Sequence, residues 1–250
     1  VGTVDSYLIA RMSRGTYHVT DVSNASRTLL MDLATGEWSD ELCSLFGVPR
    51  DALPDLVPNW GELAVTDPAS FLGLSLPISG VAGDQQSALF GQTCFDVGDS
   101  KCTYGTGSFV LTNTGPTVPT TGALLATAAW KDPSGAITYA SEGSIFVTGA
   151  AVQWLRDGIQ IVGSAAETPA VASTITDTEG VVFVPALTGL GAPDWDPHAR
   201  GMIIGLTRGT TRAHVVRATL EAIAFEVRDV LDTMPSVSSL RVDGGAAAND

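Results

Sequence analysis

Asp84 stands in the run Pro77-Ile78-Ser79-Gly80-Val81-Ala82-Gly83-Asp84-Gln85-Gln86, where an apolar segment gives way to small residues and then to a carboxylate and two amides. A carboxylate so placed can take a proton from a hydroxyl. The small residues at 80, 82 and 83 let another group approach the backbone. Downstream, Tyr104-Gly105-Thr106-Gly107 reads as a glycine-flanked hairpin turn. Such a turn aims several backbone N–H groups at one point, which suits a phosphate, and Thr106 adds a hydroxyl. Near the end, Asp243-Gly244-Gly245 marks a strand-to-helix junction where a nucleotide could lie against the backbone. Each signal alone also fits a plain capping Asp, a turn or a tight connection. Meeting in one cleft, the three would point to phosphoryl transfer from a nucleotide. That reaction runs mainly on positioning and charge neutralisation, with one acid to take the acceptor's proton. The sequence has no Gly-x-x-x-x-Gly-Lys-Ser/Thr loop and no His-Arg-Asp or Asp-Phe-Gly set, so another phosphate-binding architecture is required.

The elements that must position these residues interleave strands and helices, an α/β pattern. Asp84 is expected to cap a helix beginning around Ser87-Ala88-Leu89-Phe90, at the end of a buried strand, where open α/β sheets place their chemistry. Val4, Tyr7, Leu8 and Met12 give a helical face, and the polar run 18–28 reads as an ordered loop. Residues 29–33 read as a strand and Asp40–Phe46 as a short helix, with irregular chain around Pro49, Pro54 and Pro58. Residues 101–104 and 108–113 form a hairpin. A strand over 136–139 and a turn over 141–144 should lead to Thr148, which caps a helix over 149–160. Strands follow over 181–185 and 202–206. The clearest helix covers 212–234, with Val216, Leu220, Ile223, Val227 and Leu231 on one face and Thr210 or Thr211 as its cap. A last strand over 240–243 ends at Gly244, where a further helix opens.

Apolar content of 44% supports a substantial core, and no apolar run approaches the ~20 residues needed to span a bilayer. Net charge is −14, with two lysines among thirteen basic residues, which argues against a nucleic-acid surface. An acidic protein can still hold phosphates through backbone N–H groups. Cys43, Cys94 and Cys102 have no metal-like spacing and read as reduced, mostly buried thiols of a cytoplasmic protein; the three histidines are scattered. The chain starts mid-pattern without Met and reads as part of a longer protein.

The run 79–92 resembles the core of the FGGY carbohydrate kinases, in particular their glycerol-kinase subgroup, and so does Thr103-Tyr104-Gly105-Thr106-Gly107-Ser108-Phe109. Asn24-Ala25-Ser26-Arg27-Thr28, Gln153-Trp154-Leu155-Arg156-Asp157, the run 188–197 with its Trp-Asp-Pro, and Arg241-Val242-Asp243-Gly244-Gly245 extend the likeness over nearly all 250 residues. The resemblance implies a ribonuclease-H-like, actin- and hexokinase-like ATPase fold. It also implies two domains with ATP and substrate in the cleft between them. Residues 1–92 would close the first domain and 93–250 would form most of the second. ATP and Mg2+ are the implied cofactors and glycerol the acceptor, in a protein that forms homo-oligomers. By the same resemblance Asp84 is the base on the glycerol hydroxyl, Gln85 bonds a glycerol hydroxyl and Phe109 packs on its carbons. Thr106 would hold ATP phosphates, Gly149 and Gln153 would line the nucleotide site, and Gly245 and Asn249 would contact the adenine end. Without the resemblance, Phe109 fits ordinary core and Gln153 an exposed helix position. The family's own phosphate loop, magnesium Asp and Arg-Glu substrate clamp should lie upstream of this chain. No metal ligand is assigned within it, and the chain by itself is expected to be inactive. A ketopentose kinase, such as one for xylulose, and a non-catalytic nucleotide sensor stay open.

Overall fold

The computed structural model describes residues 1–120 and 122–248. The chain divides into two compact units. The first comprises Val1–Val97, Asn113–Thr120 and Ala126–Ser141, and the second Gly98–Thr112, Thr121–Leu125 and Glu142–Asp250.

Unit 1 begins with α1 (Val4–Met12), β1 (Val19–Asp21) and α2 (Val22–Ala25). The turn formers expected to make a loop over 18–28 instead build a strand and a one-turn helix. The Asp21 carboxyl supplies the cap, accepting the Ser23 and Asn24 amides. Next come β2 (Met31–Asp32), β3 (Glu37–Trp38), α3 (Asp40–Phe46), β4 (Asp55–Val57), β5 (Trp60–Val65), β6 (Pro77–Gly80) and α4 (Asp84–Gly91). The strand expected over 29–33 shrinks to β2, because Leu29 takes a left-handed φ of 61°. The irregular stretch around the prolines contains β4, which pairs in parallel with β1 in the register Val19↔Asp55. Helix α3 follows expectation, with the Ser39 hydroxyl accepting the Leu42 amide and Gly47 at φ 67° ending it. One core of this unit gathers Val22, Ala25, Met31, Trp38 and Leu53; another gathers Ile9, Val19 and Ala64.

Two expectations at Asp84 fail. The strand before it, β6, pairs antiparallel with β5 alone and is largely exposed, so it is not the buried strand of an open sheet. The cap of α4 is Gly83, and Asp84 is the first helical residue.

Next come β7 (Asp99–Tyr104), β8 (Ser108–Gly115), β9 (Leu125–Lys131) and β10 (Ile137–Ile145); unit 2 holds β7, most of β8 and the end of β10, and unit 1 holds the tail of β8, most of β9 and the start of β10. Strand β10 runs through residues 141–144, where a turn was expected. Ser141, Glu142 and Ser144 are buried, and the Ser144 hydroxyl donates to Glu142 Oε1 at 3.1 Å, so polar side chains sit inside a strand. The rest is α5 (Gly149–Gln153), α6 (Thr168–Ala172), β11 (Val182–Val184), β12 (Met202–Ile204), α7 (Arg212–Thr233) and β13 (Ser239–Gly244). Within the unit the strand order is β13-β7-β8-β10; β13 runs parallel to β7 and β7 antiparallel to β8. Helix α7 buries Val216, Ile223, Val227 and Val230, while Leu220 and Leu231 are half-buried. The Thr211 amide donates to His214 Nδ1 at 3.0 Å, which fixes Thr211 as the cap. All three cysteines are buried and none forms a disulfide.

Candidate active site

The hairpin of β7 and β8 places Tyr104 opposite Ser108 and leaves Gly105, Thr106 and Gly107 as the turn. This turn docks on the start of α5 through main-chain hydrogen bonds. The Gly149 amide donates to Gly105 O at 3.0 Å, and the Thr148 and Ala150 amides donate to Thr106 O at 2.9 and 3.0 Å. The Thr148 hydroxyl pairs with the Ser108 hydroxyl at 2.8 Å instead of capping the helix. Any Cβ at position 149 would lie 2.6 Å from Gly105 O, so the close approach requires glycine. Among the described residues the Thr106 amide donates to no main-chain acceptor, which leaves it available to an anion.

The parallel register Gly244↔Tyr104 brings the end of β13 beside the same turn. Gly244 has φ 92°, and the chain then enters a short 3-10 turn over Gly245–Ala248 rather than the expected helix. These elements enclose a cavity of about 570 Å³, lined by Thr106, Gly149, Gln153 and Gly245 among others. Four residues expected at a nucleotide site therefore share one cavity. Asn249, expected there too, lies outside the described residues.

Several lining residues had no assigned role in the sequence. Tyr104 and Arg156 sit inside quoted motifs, and Ala165, Ala166 and Pro169 come from a stretch without any motif. Arg156 enters because the helix expected to reach 160 stops at Gln153 and continues as a wider π turn over Trp154–Gly158. Leu155 is fully buried inside this turn, and Trp154 stacks on Phe183 at 5.6 Å. Arg156 is locked in plane by two 2.6 Å bonds to Asp157. Burial raises the Tyr104 hydroxyl, and burial pushes the Cys102 thiol beside it up to about 11. Both stay neutral at physiological pH.

In unit 1, Asp84 is exposed; its Oδ1 accepts the Gln85 amide at 2.8 Å, and Gln85 Nε2 lies 3.4 Å from Oδ2. A carboxyl so exposed, at the first turn of a helix, can receive a proton from a bound hydroxyl. Phe109, opposite Thr103 on β8, is half-buried and is not part of the cavity wall. Among the described residues no three His, Cys, Asp or Glu side chains converge as a metal site. No helix is long and apolar enough to cross a membrane.

The glycine-flanked hairpin turn, the glycine junction at the end of a parallel strand and the cavity of about 570 Å³ that they line belong to one α/β unit. The model of the FGGY family of carbohydrate kinases, N-terminal domain, matches residues 1–91, and that of the C-terminal domain matches residues 100–250. The chain belongs to the FGGY family of carbohydrate kinases. It is 54% identical over 255 residues to a glycerol kinase of Bdellovibrio bacteriovorus, covering all of this chain and 52% of the relative. It is 56% identical over 252 residues to a glycerol kinase of Thermococcus gammatolerans, covering 50% of that protein. The chain thus spans about half the length of the curated relatives it matches. The crystal structure of Plasmodium falciparum glycerol kinase with ADP superposes with a TM-score of 0.90 at 39% identity, over all of this chain and 51% of that one. The α/β fold expected from the resemblance is the one found.

Proposed function

We propose that the full-length protein transfers the terminal phosphoryl group of ATP to glycerol, giving glycerol 3-phosphate and ADP. The observation that carries this reading is the cavity closed by the Gly105–Thr106 turn, the Gly149 helix start and Gly245. The Thr106 amide, which among the described residues donates to no main-chain acceptor, can face a phosphate in a chain of net charge −14. Thr106 and its flanking glycines hold the phosphates, Gly149 and Gln153 line the site, and Gly245, with Asn249, contacts the adenine end. Asp84 accepts the hydroxyl proton late in transfer, Gln85 bonds a second hydroxyl, and Phe109 covers the carbons. Glycerol as acceptor is supported by the relatives named glycerol kinase at 54–56% identity. A domain boundary near residue 92 accords with the two family matches. In this reading the enzyme works in the cytoplasm as a homo-oligomer.

The test is a phosphorylation assay on the full-length protein with ATP, magnesium and a panel of glycerol, xylulose, ribulose and gluconate. Product from glycerol is expected to dominate. Product mainly from a ketose would overturn glycerol as acceptor, and nucleotide binding without any product would favour a non-catalytic sensor.

A further inference from the structure

The motif Asn24-Ala25-Ser26-Arg27-Thr28 and the residues just before it have no part in the chemistry above, yet they end on the base. Asp21 and Ser23 are fully buried and Asn59 is 6% exposed. Asp21 Oδ1 accepts the Ser23 amide at 2.7 Å, the Asn59 Nδ2 at 2.8 Å and the Ser23 hydroxyl; Oδ2 accepts the Asn24 Nδ2 at 2.6 Å. With its proton given to Asp21, the Ser23 oxygen is turned as an acceptor toward the Gly83 amide, 2.9 Å away. Asn59 holds the same segment one step earlier. Its Nδ2 donates to Val81 O, and its carbonyl accepts the Val81 amide, both at 2.9 Å. Asn59 is itself anchored by the Lys131 amide, which donates to its Oδ1 at 2.8 Å. A second arm reaches the first turn of α4. Gln86, 3% exposed, donates to Thr127 Oγ1 at 2.9 Å, and that hydroxyl pairs with Ser26 Oγ at 3.0 Å.

Residues 81–83 belong to no helix or strand, so nothing regular fixes their course into Asp84. An exposed loop of this kind could be satisfied by water. Here Val81 O and the Gly83 amide are instead bonded by buried side chains, and the acceptor-only Asp21 carboxylate orients the donors of Ser23, Asn24 and Asn59. We infer that Asp21, Ser23 and Asn59 are positioning residues for Asp84: a buried clamp on segment 81–83 that sets where the carboxyl group points. The inference rests on Asp84 being the base of the proposed reaction.

Ser23→Ala in the full-length protein tests it, because the change is small and removes the acceptor of the Gly83 amide. Turnover with glycerol should fall roughly 10- to 100-fold, the scale of a misplaced catalytic group. KM for ATP should stay within about twofold, since nucleotide binding is untouched. Thr127→Val, which breaks the second arm, should give a smaller fall of the same kind. In an Asp84→Asn background Ser23→Ala should cost nothing further, because the aim of an absent base has no effect. A loss that multiplies with that of Asp84→Asn, or that raises KM for ATP in step, would reduce Ser23 to a structural residue and overturn the inference. If the wild type phosphorylates no polyol, the kinase reading fails separately. The clamp is then read by amide exchange at Gly83 and Gln85, which should quicken at least about tenfold in Ser23→Ala; unchanged exchange would refute the clamp itself.

Discussion

The glycine-lined cavity of unit 2 and the Asp84 segment of unit 1 are built by opposite means. The first is made of main chain: three amide bonds between the Gly105–Thr106 turn and the start of α5, and a strand that ends in Gly244 at φ 92°. The second is made of side chains, with Asp21, Ser23 and Asn59 gripping a segment that has no regular structure. A backbone cradle is spoiled by adding atoms, and a side-chain clamp by taking them away. The division suits the proposed chemistry. Phosphates need many fixed donors and little selectivity, whereas a base needs one group correctly aimed.

Substitutions should separate the two regions. The largest effect is expected from Asp84→Asn, which should lower kcat for glycerol by about 10²- to 10⁴-fold while leaving ATP affinity in titration calorimetry unchanged. Gly149→Ala should do the reverse. Its methyl group would press on Gly105 O at 2.6 Å, and ATP Kd should rise about tenfold. Arg156→Ala at the exposed rim should raise ATP Kd only about threefold, measured at the same salt concentration. The smallest effect belongs to Glu226 on α7, outside both regions. Burial, with Asp229 and Asp194 nearby, raises its carboxyl group from 4.5 to about 7. The folded state then holds this proton more tightly than the unfolded chain, so stability from this site falls as pH rises from 4.5 to 7 and is lowest above 7. Glu226→Gln should raise Tm by about 1–3 °C at pH 8 and leave it unchanged at pH 4, read by calorimetry.

The same contrast explains what could be read from the sequence. Glycine turns and the three- and four-residue spacing of α7 announce themselves locally, so the hairpin and the α7 face were legible, whereas the shared position of Thr106, Gly149, Gln153 and Gly245 was legible only through the family resemblance. The clamp was not, because Asp21, Asn59 and Gly83 are brought together by pairing between distant segments. The run 18–28 looked like a loop because of its turn formers, among them Asp21, whose carboxyl caps α2 by accepting the Ser23 and Asn24 amides. Buried Ser141, Glu142 and Ser144 disguised the continuation of β10 as a turn. The π turn after Gln153 left no mark in composition, so the place of Arg156 on the cavity wall went unread. At Asp84 the residue type was informative and the local geometry was not, since a following helix suggests a cap whether Gly83 or Asp84 provides it.

The most direct test of the account measures ATP affinity and glycerol turnover side by side for the full-length wild type, Asp84→Asn and Gly149→Ala. The expected result is a crossed pattern: turnover lost with ATP affinity intact in Asp84→Asn, and ATP affinity weakened in Gly149→Ala with kcat at saturating ATP largely kept. If Asp84→Asn retains wild-type turnover, or if both variants lose both properties together, the assignment of base and phosphate cradle to two separately built regions is contradicted.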